Sequence, residues 1–199
     1  MFIEWWLPLL GFMWVSCITP GPNNMLLTAS GARFGLRPTL PHLFGIIAGM
    51  AVMLLAVSLG LGELFRQWPL LQLLLKISGS AYLIWLGWMI FRAAPPTVAV
   101  DASARPFTLW QALLFQFVNP KAWLMAISAI ASFAWAGQGY WVSVLWIILV
   151  SSLTCLKTGL LWSQCGVQLG RWLGTPAAWR RFNRIMALLT LLCVIAIWH

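Results

Sequence analysis

Long hydrophobic runs, separated by short polar stretches, fill almost the whole chain. A membrane-spanning helix needs about 20 apolar residues, and six runs approach or exceed that length. The last run is short, so it would span the membrane only if the bilayer is thin or if its final tryptophan lies at the interface. The pattern predicts an all-α integral membrane protein with six transmembrane helices. The six runs are residues 5–30, 40–61, 69–91, 109–133, 141–165 and 182–198.

Two of the six runs are interrupted by prolines beside polar residues. The first run contains Thr-Pro-Gly-Pro-Asn-Asn at 19–24, and the fourth contains Asn-Pro-Lys at 119–121. Proline lacks the N–H that continues a helix. Hydrocarbon tolerates the freed backbone groups only beside protein or a water-filled cavity. We therefore expect spans 1 and 4 to break at these motifs, and the two breaks to approach each other.

The two motifs occupy corresponding places in the two halves of the chain, at Pro20 and Pro120. Three spans per half is an odd number, so the halves must insert with opposite orientation. Broken helices at matching places in inverted halves are typical of the binding sites of secondary transporters. We predict one polytopic domain, residues 1–199, made of two inverted three-helix repeats. The repeats cover about residues 1–92 and 107–199, and a cytoplasmic loop over 93–106 connects them.

The composition agrees with a membrane protein and disfavours other classes. Hydrophobic residues make up 62% of the chain and charged residues 8%, which is too little charge for a soluble surface of this size. The net charge of +9 would suggest a nucleic-acid partner in a polar protein. Here the arginines lie in short loops, so membrane orientation explains the charge better and no nucleic-acid partner is expected.

The arginines predict which side of the membrane each loop faces. Eight lie on one side, against only Arg66 in a loop on the other. Positive residues favour the cytoplasmic side, so both termini are predicted to be periplasmic. The first residues carry Glu4 and no positive stretch, so no cleavable signal peptide is expected. The eight arginines are Arg33, Arg37, Arg92, Arg105, Arg171, Arg180, Arg181 and Arg184.

Three lysines fall inside predicted spans, where a charge is costly and suggests function. Lys76 lies near the outer end of its span, so its ammonium can extend to the interface. Lys157 lies deeper in its span, and structural pairing and substrate contact are equally open for it. Lys121 lies near the middle of its span, beside Pro120. Its ammonium either satisfies carbonyls freed at the break or binds substrate, and we favour substrate.

The first break can attract both charged groups of an amino acid. Pro22 suits the first position of a restarted helix, whose free N–H groups attract anions. The carbonyls that end the preceding helix attract cations, and Asn23 and Asn24 add donors and acceptors. A simple proline kink with polar caps is the alternative. Tyr82, in the third span, is interpreted mainly as a packing residue, and the second interpretation is that it lines a substrate cavity.

Other candidates for chemistry are few. The three carboxylates of the chain fall at ends or in loops, which disfavours a divalent-metal transporter and the usual proton relays. No nucleotide-binding loop or hydrolase motif is present in the sequence, and no cofactor or metal is expected. Four cysteines without C-x-x-C spacing are interpreted as packing residues. They are Cys17, Cys155, Cys165 and Cys193.

Three sequence strings resemble a known family. Residues 19–24 are similar to the signature of the lysine exporter (LysE) superfamily, particularly its homoserine/threonine-exporter (RhtB) branch. Residues 116–122, Gln-Phe-Val-Asn-Pro-Lys-Ala, look like its second motif, and residues 76–87 resemble its third-span pattern. The resemblance covers nearly the whole chain. It implies a multi-pass exporter of amino acids in the bacterial inner membrane, with the lipid bilayer as surroundings and a homodimer left open.

The leading hypothesis is a secondary exporter, not an enzyme, of small neutral amino acids or derivatives. The classes considered are cysteine/O-acetylserine, threonine/homoserine and leucine. Carboxylates proposed to matter in exporters of basic amino acids have no counterpart in these spans, which argues against lysine or arginine. The alternatives are a non-transporting membrane scaffold or channel and, with less support, an intramembrane redox enzyme. The predicted substrate-binding residues are Pro20, Gly21, Pro22, Asn23, Asn24, Gln116, Asn119, Pro120, Lys121, Lys157 and Tyr82.

Overall fold

A computed structural model describes residues 2–61, 67–93 and 105–198. Within these ranges the regular structure is helical, with eight α-helices and no strand, which confirms the all-α class. The predicted loop positions Glu63, Arg66 and Asp101, most of the loop 93–106, and His199 lie outside the described residues. The helices are α1 (Phe2–Ile18), α2 (Pro22–Phe34), α3 (Leu36–Ala56), α4 (Pro69–Arg92), α5 (Leu109–Val118), α6 (Pro120–Phe133), α7 (Tyr140–Trp172) and α8 (Pro176–Trp198).

Two helical stretches are long and apolar enough to cross a membrane, Leu36–Leu61 and Gly137–Trp172. The pair α5 and α6, bent by 73° at their junction, is a third candidate. The first stretch joins α3 to a π-helical turn, Val57–Leu61, and the second joins the short 3-10 turn Gly137–Gly139 to α7. By length and composition the described residues therefore give up to three spans, and the count of six stays a prediction.

Several helices extend beyond the hydrophobic runs that predict them. A hydrophobic run marks only the apolar section of a helix, whereas the helix continues into polar residues while its backbone hydrogen bonds are formed. Proline at the first position of α8 fits this, because the N–H that proline lacks has no helical partner there. The helical stretch that contains the run 40–61 begins at Leu36, and the one that contains the run 141–165 ends at Trp172. The helix that contains the run 182–198 begins at Pro176.

The chain leaves helical geometry at both proline motifs, but over different lengths. α1 ends at Ile18 and α2 begins at Pro22. Between α5 and α6, in contrast, only Asn119 is non-helical, with φ −94° and ψ 103°. Pro120 and Lys121 form the first turn of α6, so the break expected over the motif 119–121 is narrower than predicted and is confined to its first residue. Proline at this first position removes no helical hydrogen bond.

Close helix pairs surround the region between the motifs. α2 packs along α7, α3 along α5, α4 along α8, and α3 also packs against α7. Glycines make these approaches close: a Cβ on Gly49 would lie 2.6 Å from Cγ of Gln116, and a Cβ on Gly166 would collide with the Thr28 carbonyl. A Cβ on Gly45 would lie 2.7 Å from Cβ of Ala112. Gly45 and Gly49, four residues apart on α3, thus form a face of small residues that lets α5 pack closely.

The two ends of the helical bundle carry different side chains. At the end where α1 begins, the rings of Trp5 and Trp135 lie 5.1 Å apart, and Trp5 Nε1 donates to the Phe133 carbonyl at 3.0 Å. At the opposite end, the Arg184 guanidinium lies 5.9 Å from the centre of the Phe91 ring. Aromatic side chains thus lie at both ends, as they do at the two interfaces of a membrane protein, and Arg184 lies at the end opposite Trp5.

A hydrophobic cluster joins the helix ends near the arginines. Trp179 and Phe182 of α8 pack there with Ala32 of α2, Ile90 of α4 and Leu173 after α7. The ends of α2, α4 and α7 and the start of α8 therefore lie together. The arginines that follow or belong to these ends are Arg33, Arg37, Arg92, Arg171, Arg180, Arg181 and Arg184.

Candidate functional site

A partly open cavity lies between the two proline motifs, and the space of about 540 Å³ between its walls includes the open region at its mouth. The end of α1, the start of α2, the middle of α3, the α5–α6 junction and the middle of α7 form its wall. Seven of the predicted substrate-binding residues line it: Gly21, Pro22, Asn23, Asn24, Gln116, Asn119 and Lys121.

The ammonium of Lys121 reaches from the second motif to the first. Its Nζ donates a hydrogen bond of 2.7 Å to the carbonyl of Thr19. The Oδ1 atom of Asn119 accepts from the Lys121 backbone N–H at 3.1 Å and caps the start of α6. An ammonium has three donors, so the contact with Thr19 uses only one of them. Lys121 thus satisfies a carbonyl at the first break and also presents its charge to the cavity wall.

Side chains bind the carbonyl groups at the end of α1. Nδ2 of Asn24 donates to the carbonyls of Cys17 at 2.8 Å and Thr19 at 2.9 Å. Nε1 of Trp162, on α7, donates to the Ile18 carbonyl at 3.3 Å. These contacts replace helical hydrogen bonds that the proline motif cannot supply. They also occupy the amide nitrogen of Asn24, so this side chain would contact a ligand through Oδ1.

The start of α2 differs from the start of α6. Gly21 is the N-cap of α2 and Pro22 its first residue, and no side chain of the described residues caps this end. The start of α6 is capped by Asn119. Uncapped N–H groups in the first turn of a helix attract anions. Of the two helix starts at the breaks, that of α2 is therefore the better place for a negatively charged group.

A reciprocal amide pair connects α2 with α5. Nδ2 of Asn23 donates to Oε1 of Gln116 at 2.9 Å, and Nε2 of Gln116 donates to Oδ1 of Asn23 at 3.3 Å. The same Nε2 also donates to the Ala112 carbonyl at 3.0 Å. Gln116 is almost fully buried. The pair fixes the orientation of both amides on the cavity wall and joins the first half of the chain to the second.

The remaining predicted site residues do not line this cavity. Lys157 is exposed on α7. The ring of Tyr82 packs 5.1 Å from the ring of Phe115. The ring of Pro120 lies against α4, 3.1 Å from where a Cβ on Gly79 would be. Binding roles for these three residues and for Pro20 stay predictions that the cavity does not support.

The cavity wall also contains residues that the sequence analysis did not select. Cys17 and Cys155 line the cavity, together with Thr158, and the Sγ atoms of the two cysteines lie 3.2 Å apart. Cys17 is adjacent to the first proline motif, which is a signal that could have drawn attention to it. Nothing in the sequence relates it to Cys155, because helix packing alone brings α1 and α7 together.

Apolar helices, two facing interruptions and a cavity between them are features of membrane transporters. Residues 14–197 match the family model of the LysE type translocator. The chain belongs to this family, as its motifs predict. The family description is that of a translocator, which agrees with the prediction that the chain is not an enzyme.

Relatives of named function are similar to the chain over most of its length. They include the cysteine/O-acetylserine efflux proteins of Escherichia coli (strain K12), Escherichia coli O139:H28 (strain E24377A / ETEC) and Shigella flexneri. Each is 29% identical over 189 residues, which cover 93% of this chain and 93% of the relative. The chain is thus similar to exporters of cysteine and O-acetylserine, the first of the substrate classes considered for it. No solved structure matches the chain.

Proposed function

We propose that the protein is a secondary exporter of small neutral amino acids or their derivatives in the bacterial inner membrane. One observation carries the proposal: Lys121 and the uncapped start of α2 line the same cavity, between the two proline motifs. Membership of the translocator family and the efflux function named for its relatives support it. Cysteine and O-acetylserine are the first candidates, and threonine, homoserine and leucine are the next.

The proposal includes six spans arranged as two inverted repeats. In this arrangement α1 with α2 forms the first broken span, and α5 with α6 forms the fourth. The helix pairs support this arrangement. Span 1 packs on span 5, and the corresponding pair in the other half is span 4 on span 2, while span 3 packs on span 6. Exchanging the two halves reproduces this set of pairs. The shared location of the arginines supports periplasmic termini, by the same rule that predicts them.

We infer that the substrate carboxylate binds between the ammonium of Lys121 and the first N–H groups of α2. Charge-assisted hydrogen bonds of this kind are stronger than neutral ones, particularly away from water. Oxygen atoms of Asn24, Gln116 and Asn119 supply acceptors for the substrate ammonium. The zwitterion has no net charge, so its binding needs no carboxylate from the protein.

The same charge disfavours lysine and arginine as substrates. A second cationic group would enter a cavity that already holds the Lys121 ammonium. Two like charges about 6 Å apart repel by roughly 3 kcal/mol at an effective dielectric constant near 20. This energy corresponds to a discrimination of about a hundredfold in favour of neutral side chains.

Counterflow in proteoliposomes tests the proposed function. Vesicles loaded with an unlabelled amino acid are diluted into the labelled one, with cysteine, threonine, leucine and lysine assayed in parallel. An exporter with alternating access should accumulate at least one labelled neutral amino acid transiently, and should exchange lysine far more slowly. A scaffold would show no uptake, and a channel would show uptake without transient accumulation. Either result, or preferential exchange of lysine, would contradict the proposal.

A further inference from the structure

Two thiol groups from different halves of the chain meet on the cavity wall. Cys17 lies in the last turn of α1, and Cys155 lies in the middle of α7. Their Sγ atoms are 3.2 Å apart, and both residues are free cysteines. A disulfide needs its sulfur atoms at about 2.05 Å. A movement of the two side chains by about 1 Å in total would therefore bring them to bonding distance.

We propose that Cys17 and Cys155 form a reactive dithiol site, which disulfides of small thiols that enter the cavity oxidise to an intramolecular disulfide. The chemical class includes oxidised cysteine, whose carboxylates would be attracted by Lys121 on the same wall. The cavity is partly open, so a molecule of this class can approach its wall. The site has no role in the binding of the substrate carboxylate described above.

The reaction is a pair of thiol–disulfide exchanges. Cys155 is more exposed than Cys17, so its thiolate attacks one sulfur of the small disulfide. That S–S bond breaks, one small thiol leaves with the proton from Cys155, and a mixed disulfide remains on Cys155. The thiolate of Cys17 then attacks Sγ of Cys155 and releases the second small thiol with the other proton. Two protein thiols are oxidised, and one small disulfide is reduced to two thiols.

The other two cysteines provide controls within the same chain. Cys165 is exposed on α7 and does not line the cavity. Cys193, on α8, donates from its Sγ to the Leu189 carbonyl at 3.3 Å and also lies outside the cavity lining. Neither has the arrangement of two adjoining thiols that converts a mixed disulfide into an intramolecular bond. Small disulfides should therefore leave these two cysteines unlinked.

The disulfide would tie the first half of the chain to the second. Alternating access moves one repeat against the other around the binding site, and a bond between α1 and α7 excludes conformations in which their sulfur atoms separate. Oxidation should therefore slow transport strongly. This consequence rests on the proposed function, whereas the formation of the disulfide does not.

Peptide mapping of the purified full-length protein tests the chemistry without any transport measurement. The reduced protein is treated with cystine or with 2-hydroxyethyl disulfide, remaining thiols are alkylated, and non-reduced peptides are analysed by mass spectrometry. The expected product is a peptide pair joined through Cys17 and Cys155, lower in mass by two hydrogens and absent after dithiothreitol. If Cys17 and Cys155 are alkylated to the same extent as in untreated protein, no disulfide has formed and the proposal is overturned.

Counterflow with the oxidised protein tests the consequence. The rate should fall by about tenfold, because the linked protein samples fewer conformations, and should recover with dithiothreitol. In the Cys17→Ser variant the same treatment should give no dithiothreitol-reversible cross-link in the peptide map. If the cross-linked wild-type protein transports at its untreated rate, the disulfide does not restrict transport and this consequence is overturned. Absence of counterflow before oxidation would instead contradict the proposed function.

Discussion

The ammonium of Lys121 donates a hydrogen bond to the Thr19 carbonyl across 2.7 Å, joining residues that are 102 positions apart in the chain. The carbonyl lies just beyond the end of α1, where the partial negative charge of a helix terminus favours a cation. This contact explains how a lysine can be stable between apolar helices. It also places the charge beside the cavity, where a substrate carboxylate can compete for its remaining donors.

Replacing Lys121 by methionine should reduce export strongly while the protein still inserts. Methionine keeps much of the length of the side chain but removes the charge that would bind the substrate carboxylate. Hydrogen bonds to charged groups contribute roughly 1.5–3 kcal/mol, so counterflow should fall by about ten- to a hundredfold. Counterflow rates are to be normalised to the amount of folded protein in the vesicles.

The matched control for this variant is Lys76→Met on α4. Lys76 lies outside the cavity lining, so its replacement should reduce counterflow much less. A Lys121→Met variant that transports at the wild-type rate would show that the lysine does not bind the carboxylate. Failure of this variant to accumulate in the membrane would show that its main role is structural.

Replacing Gly21 by alanine should disturb Lys121 without straining the backbone. Gly21 has an extended conformation, with φ −169°, which any residue can adopt. A Cβ there would lie 3.0 Å from both Cδ and Nζ of Lys121, so the lysine side chain must move. We expect a higher KM for the neutral substrate and nearly unchanged thermal stability in detergent.

Gly11→Ala is the control for the Gly21 variant. A Cβ on Gly11 would have no neighbour within 4 Å, and alanine stabilises an α-helix relative to glycine. Its KM should therefore equal that of the wild type. An equal change of KM in both variants would show that the effect does not arise from contact with Lys121.

The amide pair of Asn23 and Gln116 should show coupled effects on stability. Replacing either residue by alanine leaves the other amide without its partner, whereas the double variant removes both amides. In membrane proteins such pairs contribute about 0.6 kcal/mol on average, so the loss in the double variant should be smaller than the sum of the single losses. Unfolding of all four proteins in mixed micelles measures the coupling. Additive losses would contradict an energetic contribution from the pair.

The sequence predicted the contents of the site better than its geometry. Proline motifs in apolar runs identified both interruptions, because few arrangements allow unpaired backbone groups in a membrane. The same logic identified Gly21, Asn23 and Lys121, which line the cavity. It could not predict that Asn24 binds carbonyls of α1, because such pairing depends on how the chain turns at Gly21.

Contacts between distant helices were the least predictable feature. The approach of Cys17 and Cys155 depends on the crossing of α1 with α7, and no local pattern encodes it. Lys157 shows a second limit: its depth in an apolar run made it a candidate site residue, whereas the structure places it on the exposed face of α7. A hydrophobic run gives the depth of a residue, whereas its direction depends on helix rotation and packing.

The carboxyl terminus should face the periplasm. Most of the arginines in loops and at helix ends belong to the end of the bundle where α2, α4 and α7 end and α8 begins, and positive residues favour the cytoplasm. Alkaline phosphatase fused after His199 should therefore be active, and green fluorescent protein at the same position should be dark. The reverse pair of results would place this terminus in the cytoplasm.

Recognition of the substrate carboxylate is tested most directly by competition in the counterflow assay. Labelled threonine or cysteine is exchanged by the wild-type protein in the presence of the unlabelled amino acid, its carboxamide or its decarboxylated amine. Binding between Lys121 and the start of α2 predicts that only the intact amino acid competes, because the other compounds lack the anion and retain the cation. Equal competition by the carboxamide or the amine would contradict this mode of binding.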